Sequence, residues 1–212
     1  LTGLKDRSGL TTKKEIKINH QALTLGIAGA HRTGKTTLAT VIAESAHLSL
    51  VKTNTTAVFQ QYGLSPSTVL DFNTRLWIQH QIIEAAVSLW QMANKGWVTD
   101  RTPIDFMAYA LADIQGQTEV DWNELERYIN RCFTVTNQLF THLVLVPPAI
   151  PLKYEDGKAA LNRAYIEHLN TLMLGLCHDE RLHRPVVILR RETVKLEERV
   201  KEILKEISGD QI

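Results

Sequence analysis

The stretch GIAGAHRTGKTTLAT, residues 26–40, decides the fold. It sets Gly29 and Gly34-Lys35-Thr36, with four residues separating them, between the apolar run ALTLGIAG and the segment KTTLATVIAESAH. The apolar run suits a buried strand, and the segment after it places Leu38, Ile42 and Ala46 at helical spacing. A glycine loop between a strand and a helix, with this spacing, cradles phosphate through its backbone. The glycines let the chain wrap the β-phosphate, and successive N–H groups point inward at the start of the helix. Lys35 is then placed to reach the β- and γ-phosphates, the Thr36 hydroxyl to hold Mg²⁺, and Thr37 to touch the α-phosphate. Gly29, Ala30, His31, Arg32, Thr33, Gly34, Lys35, Thr36 and Thr37 are therefore the expected phosphate-binding residues. The expectation is a bound nucleoside triphosphate.

Outward from this loop, strands alternate with helices. LSLVKT reads as a second strand. Ser65-Pro66-Ser67 offers an N-cap with a proline in the first turn of a helix. That helix lines up Val69, Phe72, Leu76, Ile83, Val87 and Trp90, and closes near Asn94-Lys95-Gly96 with the glycine as C-cap. WVTD is a very short strand, and Pro103 lies in the first turn of another helix. THLVLVPP is a strand stopped by prolines, PVVILRR the last strand and ETVKLEERVKEILKEI the last helix. This alternation predicts an α/β fold, a P-loop three-layer sandwich around a five-stranded parallel sheet. Residues 1–20 are polar and aperiodic, an extension ahead of one domain over 21–212.

The bulk numbers narrow the classes. At 212 residues the chain holds one sizeable core, and 44% hydrophobic with 22% charged residues is ordinary for a globular protein. Two cysteines, Cys132 and Cys177, give no disulfide framework and suit a reducing cytosol, so the expected location is cytoplasmic. No apolar run approaches the ~18 residues of a membrane span, and the chain start lacks the apolar core of a signal peptide. That start, LTGLKDRSGL, has no Met and suits a trimmed product. Net charge is +1, but residues 181–205 hold eight Lys/Arg against four Glu. Residues 1–20 hold five against two acids. Such clusters are either solvated faces or a patch for phosphates or a nucleic-acid backbone.

Whether the nucleotide is fuel, signal or donor turns on a second stretch. A GTPase needs Asn-Lys-x-Asp, and Asn94-Lys95-Gly96-Trp97 has Trp97 where the aspartate belongs. Asp113-Ile114-Gln115-Gly116 has switch-like spacing but ends a helix and follows Asn94 instead of preceding it. In WVTDRTPID, by contrast, a short strand delivers Asp100 beside the loop, to bind the metal's water or take a proton from an attacking hydroxyl. Asp100 could equally cap the helix before Pro103. Arg101 falls at the strand's C-terminal edge, where a planar guanidinium suits an acceptor phosphate or carboxylate. Asp105 reads as a first-turn residue favoured by the helix dipole, or a partner of Arg101.

Taken together, Gly29-to-Thr36, TDRTPID, THLVLVPP…EDGK…NR and a terminal strand followed by EER resemble the small P-loop nucleoside and nucleotide kinases. Thymidylate kinases carry a related Asp-Arg after this strand, and deoxynucleoside kinases an acidic-Arg-Ser equivalent. The closer overall resemblance is to the group of ribosylnicotinamide kinase domains and phage-encoded kinases, some of which act on hydroxymethyluracil in DNA. It implies ATP and Mg²⁺ as cofactors, with Thr36 and Asp100 as metal ligands. Lys35, Arg32, Asp100 and Arg101 are the implied catalytic residues, Arg101 binding the acceptor. It also implies a lid over LKYEDGKAALNRAY, in which Lys153, Lys158 and Arg163 close on the triphosphate around an Asp156-Gly157 turn. Arg190 and Arg191 fall where this fold contacts the donor base. Where some thymidylate kinases have Asp before the loop arginine, to help seat the acceptor sugar, this chain departs with His31, so a thymidylate kinase's acceptor does not carry over. The implied partner is a nucleoside or nucleotide, or DNA if the modified-base reading applies, with a homodimer an open case. A switch or assembly ATPase without an acceptor is the reading from another class.

Other conspicuous residues have plain explanations. His168, Cys177, His178 and His183 fit no zinc spacing. Trp77 and Trp90 fall in the helical stripe and read as core. Trp97 and Trp122 read as core or as acceptor-stacking residues. Arg199 reads as a surface residue or an anchor of the last helix.

Overall fold

The computed structural model describes residues 23–152 and 161–209. Strands β1 (Thr24–Ala28), β2 (Ser49–Val51), β3 (Trp97–Thr99), β4 (His142–Leu145) and β5 (Val186–Ile188) form one parallel sheet in the order β2-β3-β1-β4-β5. All five expected strands are present. β1 lies at the centre because its side chains feed both faces. Leu25 and Ile27 enter one core and Ala28 the other, the period-two pattern of a strand covered on both sides. Gly26 is required by packing, since a Cβ there would lie 2.7 Å from Phe140 and Thr102 side-chain carbons. The β1–β3 register pairs Gly26 with Thr99. The C-terminal ends of β1 and β3 therefore finish side by side, and the residues that follow each strand emerge at one edge. In open α/β sheets this edge is the ligand crevice.

Seven helices among the described residues complete the layers. Helices α1 (Lys35–Ser45) and α7 (Leu196–Gly209) share one core, in which Leu38, Ile42, Val98, Val144 and Ile203 are fully buried. Helices α3 (Phe72–Met92), α4 (Pro103–Ala112), α5 (Trp122–Leu139) and α6 (Arg163–Cys177) fill the other, with short α2 (Thr55–Gln61) beside α3. Trp90 anchors that second core. Its ring stacks on Trp97 at 6.2 Å between centroids and meets the Phe140 ring edge-on at 5.0 Å.

Three local expectations are corrected. The long helix starts at Phe72, capped by Asp71, whose side chain accepts from the Thr74 N–H. Ser65-Pro66-Ser67 forms a turn instead, with the Thr68 hydroxyl accepting the Ser65 N–H, and Val69 is exposed. Asp71 prevails because it offers two carboxylate bonds, to the Thr74 N–H and the Thr74 hydroxyl. The helix ends at Met92 with Ala93 as C-cap, and Gly96 instead leads into β3. Trp77 faces outward, 45% exposed, and packs edge-on against Tyr62 at 4.8 Å. The apolar stripe simply turns past it: Phe72, Leu76, Ile83, Val87 and Trp90 are buried as expected. Trp97 is core, whereas Trp122 opens α5 with 65% of its surface exposed.

Candidate active site

The loop between β1 and α1 is held open by its glycines. Gly29 has φ +154°, and a Cβ there would lie 2.6 Å from the Val146 carbonyl oxygen. Gly34 has φ +86° and serves as N-cap of α1 without any side-chain cap, and no acidic residue occupies the first turn. The first N–H groups of α1 are therefore left to an anion. Arg32 adopts a left-handed φ of 63°, uncommon for a residue with a Cβ, at the outer bend of the loop. Buried Thr33 closes the bend by donating its hydroxyl to the Ala30 carbonyl at 2.9 Å.

Lys35 is turned inward. Its ammonium donates to the carbonyls of Gly29 and Ala30, the latter at 2.8 Å, and lies 3.8 Å from Asp105 Oδ1. Burial is the largest influence on it and pulls its pKa from 10.5 to about 8, with Asp105 opposing and Arg101 reinforcing that fall. Asp105 is fully buried and its carboxyl is pushed up by the same burial, against the pull of Lys35 and Arg101. It accepts the Gly29 N–H at 3.2 Å on Oδ1, and the Thr102 N–H and hydroxyl at 2.9 and 2.7 Å on Oδ2. Thr102, not Asp100, caps α4, in a reciprocal capping box with Asp105 and Pro103 in the first turn.

With the cap supplied by Thr102, Asp100 is free to face the loop. Its Oδ2 accepts the Thr36 hydroxyl at 2.5 Å, which brings the two expected metal ligands into contact across 64 residues of chain. One carboxylate and one hydroxyl are hard oxygen donors of the kind that hold Mg²⁺ together with substrate phosphates. Among the described residues no cluster of three or more His, Cys, Asp or Glu offers a metal site of its own. Arg101 lies beside Asp100, its guanidinium 5.8 Å from the Tyr109 ring centroid. Burial opposes its charge, but Asp105, Tyr109 and Asp100 together outweigh that and raise its pKa. The Tyr109 hydroxyl accepts the His31 N–H at 3.2 Å and lies 3.1 Å from His31 Nδ1, and the Tyr165 ring is 6.0 Å from that of His31.

Every expected residue from Gly29 to Thr37, with Asp100 and Arg101, thus falls at one edge of the sheet. Lys153, Lys158 and the Asp156-Gly157 turn lie outside the described residues. Arg163 is the exposed first residue of α6 and makes no hydrogen bond or ion pair to the loop among the described residues. Arg190 pairs with Glu202 at 3.5 Å, and Arg191 bonds both Glu167 oxygens and the Pro148 carbonyl. Three contacts escape a linear reading: Asp105 under the lysine, Tyr109 under His31, and Arg199 donating to the Thr33 carbonyl at 3.2 Å. Their signals were present. Residues 105 and 109 share one helical face, Thr-x-x-Asp is a capping-box spacing, and Arg199 falls on the buried stripe of Val200, Ile203 and Ile207.

Comparison with known proteins agrees with this architecture. The AAA domain family matches residues 25–207. Among solved structures, deoxyadenosine kinase from M. mycoides, with dCMP and dCDP bound, superposes with a TM-score of 0.61 at 15% identity. That match covers 89% of this chain and 100% of that one. Thymidylate kinase from Candida albicans gives 0.58 at 14% identity over 92% and 94% of the two chains. A comparison with curated proteins gives no match. The chain therefore belongs to the AAA domain family, built on the fold shared by these small P-loop nucleotide kinases.

Proposed function

We propose that this protein transfers the γ-phosphoryl group of ATP to a nucleoside or (deoxy)nucleotide. The observation that carries the reading is the contact between Thr36 and Asp100, with Arg101 next in the chain. It joins the donor loop to a strand end that offers an acceptor both a carboxylate and a guanidinium. Phosphoryl transfer asks little covalent chemistry of a protein and much positioning and charge neutralisation. Lys35 supplies positive charge at the β- and γ-phosphates, with Arg32 at the bend of the loop. Thr36 and Asp100 would hold Mg²⁺, which when bound would screen the phosphate charge. Asp100 also orients or deprotonates the attacking hydroxyl, and Arg101 steadies the acceptor through its planar donors. Lys158 and Arg163 belong to the same reading as lid cations on the triphosphate. The M. mycoides deoxyadenosine kinase, with dCMP and dCDP bound as products, supports an acceptor of the nucleoside or nucleotide class.

A kinase acting on hydroxymethylated bases in DNA draws less support from the surface. Half of the C-terminal basic cluster is balanced, since four of its eight cations, Arg181, Arg190, Arg191 and Lys195, pair with Asp179, Glu202, Glu167 and Glu198. The test is one screen of labelled ATP against nucleosides, nucleoside monophosphates, and plain and hydroxymethylated DNA. Label is expected on a nucleoside or nucleotide, and the transfer is lost in Lys35→Ala and Asp100→Ala. Label on DNA alone selects the modified-base reading. Release of free phosphate with no labelled acceptor overturns the proposal in favour of a switch or assembly ATPase.

A further inference from the structure

Arg199 is the buried charge that the catalytic reading leaves unused. It lies in the first turns of α7 with 3% of its surface exposed. Its Nε donates to the Thr193 carbonyl at 2.7 Å and its Nη1 to the Thr33 carbonyl at 3.2 Å, while Nη2 is buried with no hydrogen-bond partner. The nearest carboxylates in sequence are engaged elsewhere. Glu198 pairs with Lys195 at 3.2 Å, and Glu202 accepts the Thr193 hydroxyl at 2.9 Å and faces Arg190. No described carboxylate comes within ion-pair distance of Arg199. Burial is the one influence on its pKa, which it lowers.

A buried guanidinium without a counter-ion is costly, and it is ordinarily found where an anion completes it. The place of this one identifies the anion. Its Nη1 lies 3.9 Å from where a Gly34 Cβ would stand, directly against the phosphate loop. Holding the Thr33 carbonyl on Arg199 also fixes a planar trans peptide, which turns the Gly34 N–H to the opposite side, away from α7. The guanidinium thus backs the loop with positive charge while the loop presents N–H groups to the other side.

We propose that Arg199 is a positioning residue for the donor polyphosphate, orienting the Thr33–Gly34 peptide and holding a positive charge that the phosphates balance on binding. This rests on the reading of the loop as the donor site. The test uses the full chain with MgADP in calorimetry, comparing wild type with Arg199→Met and Arg199→Lys, alongside melting of the ligand-free proteins. Arg199→Met is expected to weaken ADP binding about tenfold or more, the scale of a screened unit charge acting across one loop. Its ligand-free melting temperature is expected to stay close to wild type, because the loss of the two bonds to the Thr193 and Thr33 carbonyls is offset by removal of the uncompensated charge. Arg199→Lys keeps the charge and recovers most of the affinity. ADP affinity within twofold of wild type in Arg199→Met overturns the proposal. So does a Met variant that fails to fold, or a Lys variant as impaired as Met with both melting lower, since Arg199 would then be only a structural staple. Wild type that binds no ADP removes the donor-site reading itself, an outcome separate from a normal wild type with unaffected variants.

Discussion

Replacing Asp105 by Asn tests whether the glycine loop and the segment after β3 are built as one unit. The aspartate serves the Gly29 N–H with one oxygen and both Thr102 donors with the other, all in a fully buried setting. An asparagine has a single acceptor oxygen, so either the Gly29 or the Thr102 N–H loses its partner. A buried N–H left unpaired costs about 1–3 kcal/mol. The second loss is the countercharge of Lys35, 3.8 Å away. That loss is bounded, because the ammonium already titrates at about 8 and can shed its proton at pH 7 for about 1 kcal/mol. The sum is about 2–4 kcal/mol, or a melting temperature roughly 5–15 °C lower for a chain of this size. Urea unfolding of the ligand-free protein at pH 7 measures it, with an unchanged m-value separating lost stability from a changed denatured state. A loss below about 1 kcal/mol would falsify the reasoning, for Asp105 would then be a simple first-turn residue.

Two further predictions probe other parts of the structure. Lys35 releases its proton near pH 8 when folded and near 10.5 when unfolded, so across that window the unfolded chain binds more protons and stability rises with pH. The ligand-free wild type should gain up to about 3 kcal/mol relative to Lys35→Met between those pH values, and parallel pH–stability curves would exclude it. Trp90→Ala should cost about 3–5 kcal/mol by opening a cavity between Trp97 and Phe140, whereas Trp77→Ala, at the surface, should cost less than about 1.5. Equal losses in denaturant melts would contradict the placement of the two rings.

The phosphate loop and its helix were legible along the chain because they are local. One strand, one spacing of glycines and one helix start suffice, and each has its own residue signature. Asp100 and Arg101 were legible too, since a short strand ending in charge can deliver that charge to only one edge of a parallel sheet. The start of α3 was not, because two caps compete within seven residues and the one with two carboxylate bonds prevails. The outward turn of Trp77 depends on where the stripe meets the core, which periodicity alone does not fix.

By itself the sequence determined a glycine loop with the spacing of a phosphate cradle at the end of a strand, with an acid and an arginine at the end of another. Only the tertiary structure decided what lies beneath that loop. Asp105 and Tyr109 reach it from α4, and Arg199 from α7, 166 residues beyond Thr33. A motif reports the atoms that touch a ligand. The charges that hold those atoms in place come from helices whose meeting is set by packing, and packing leaves no fixed spacing in the chain.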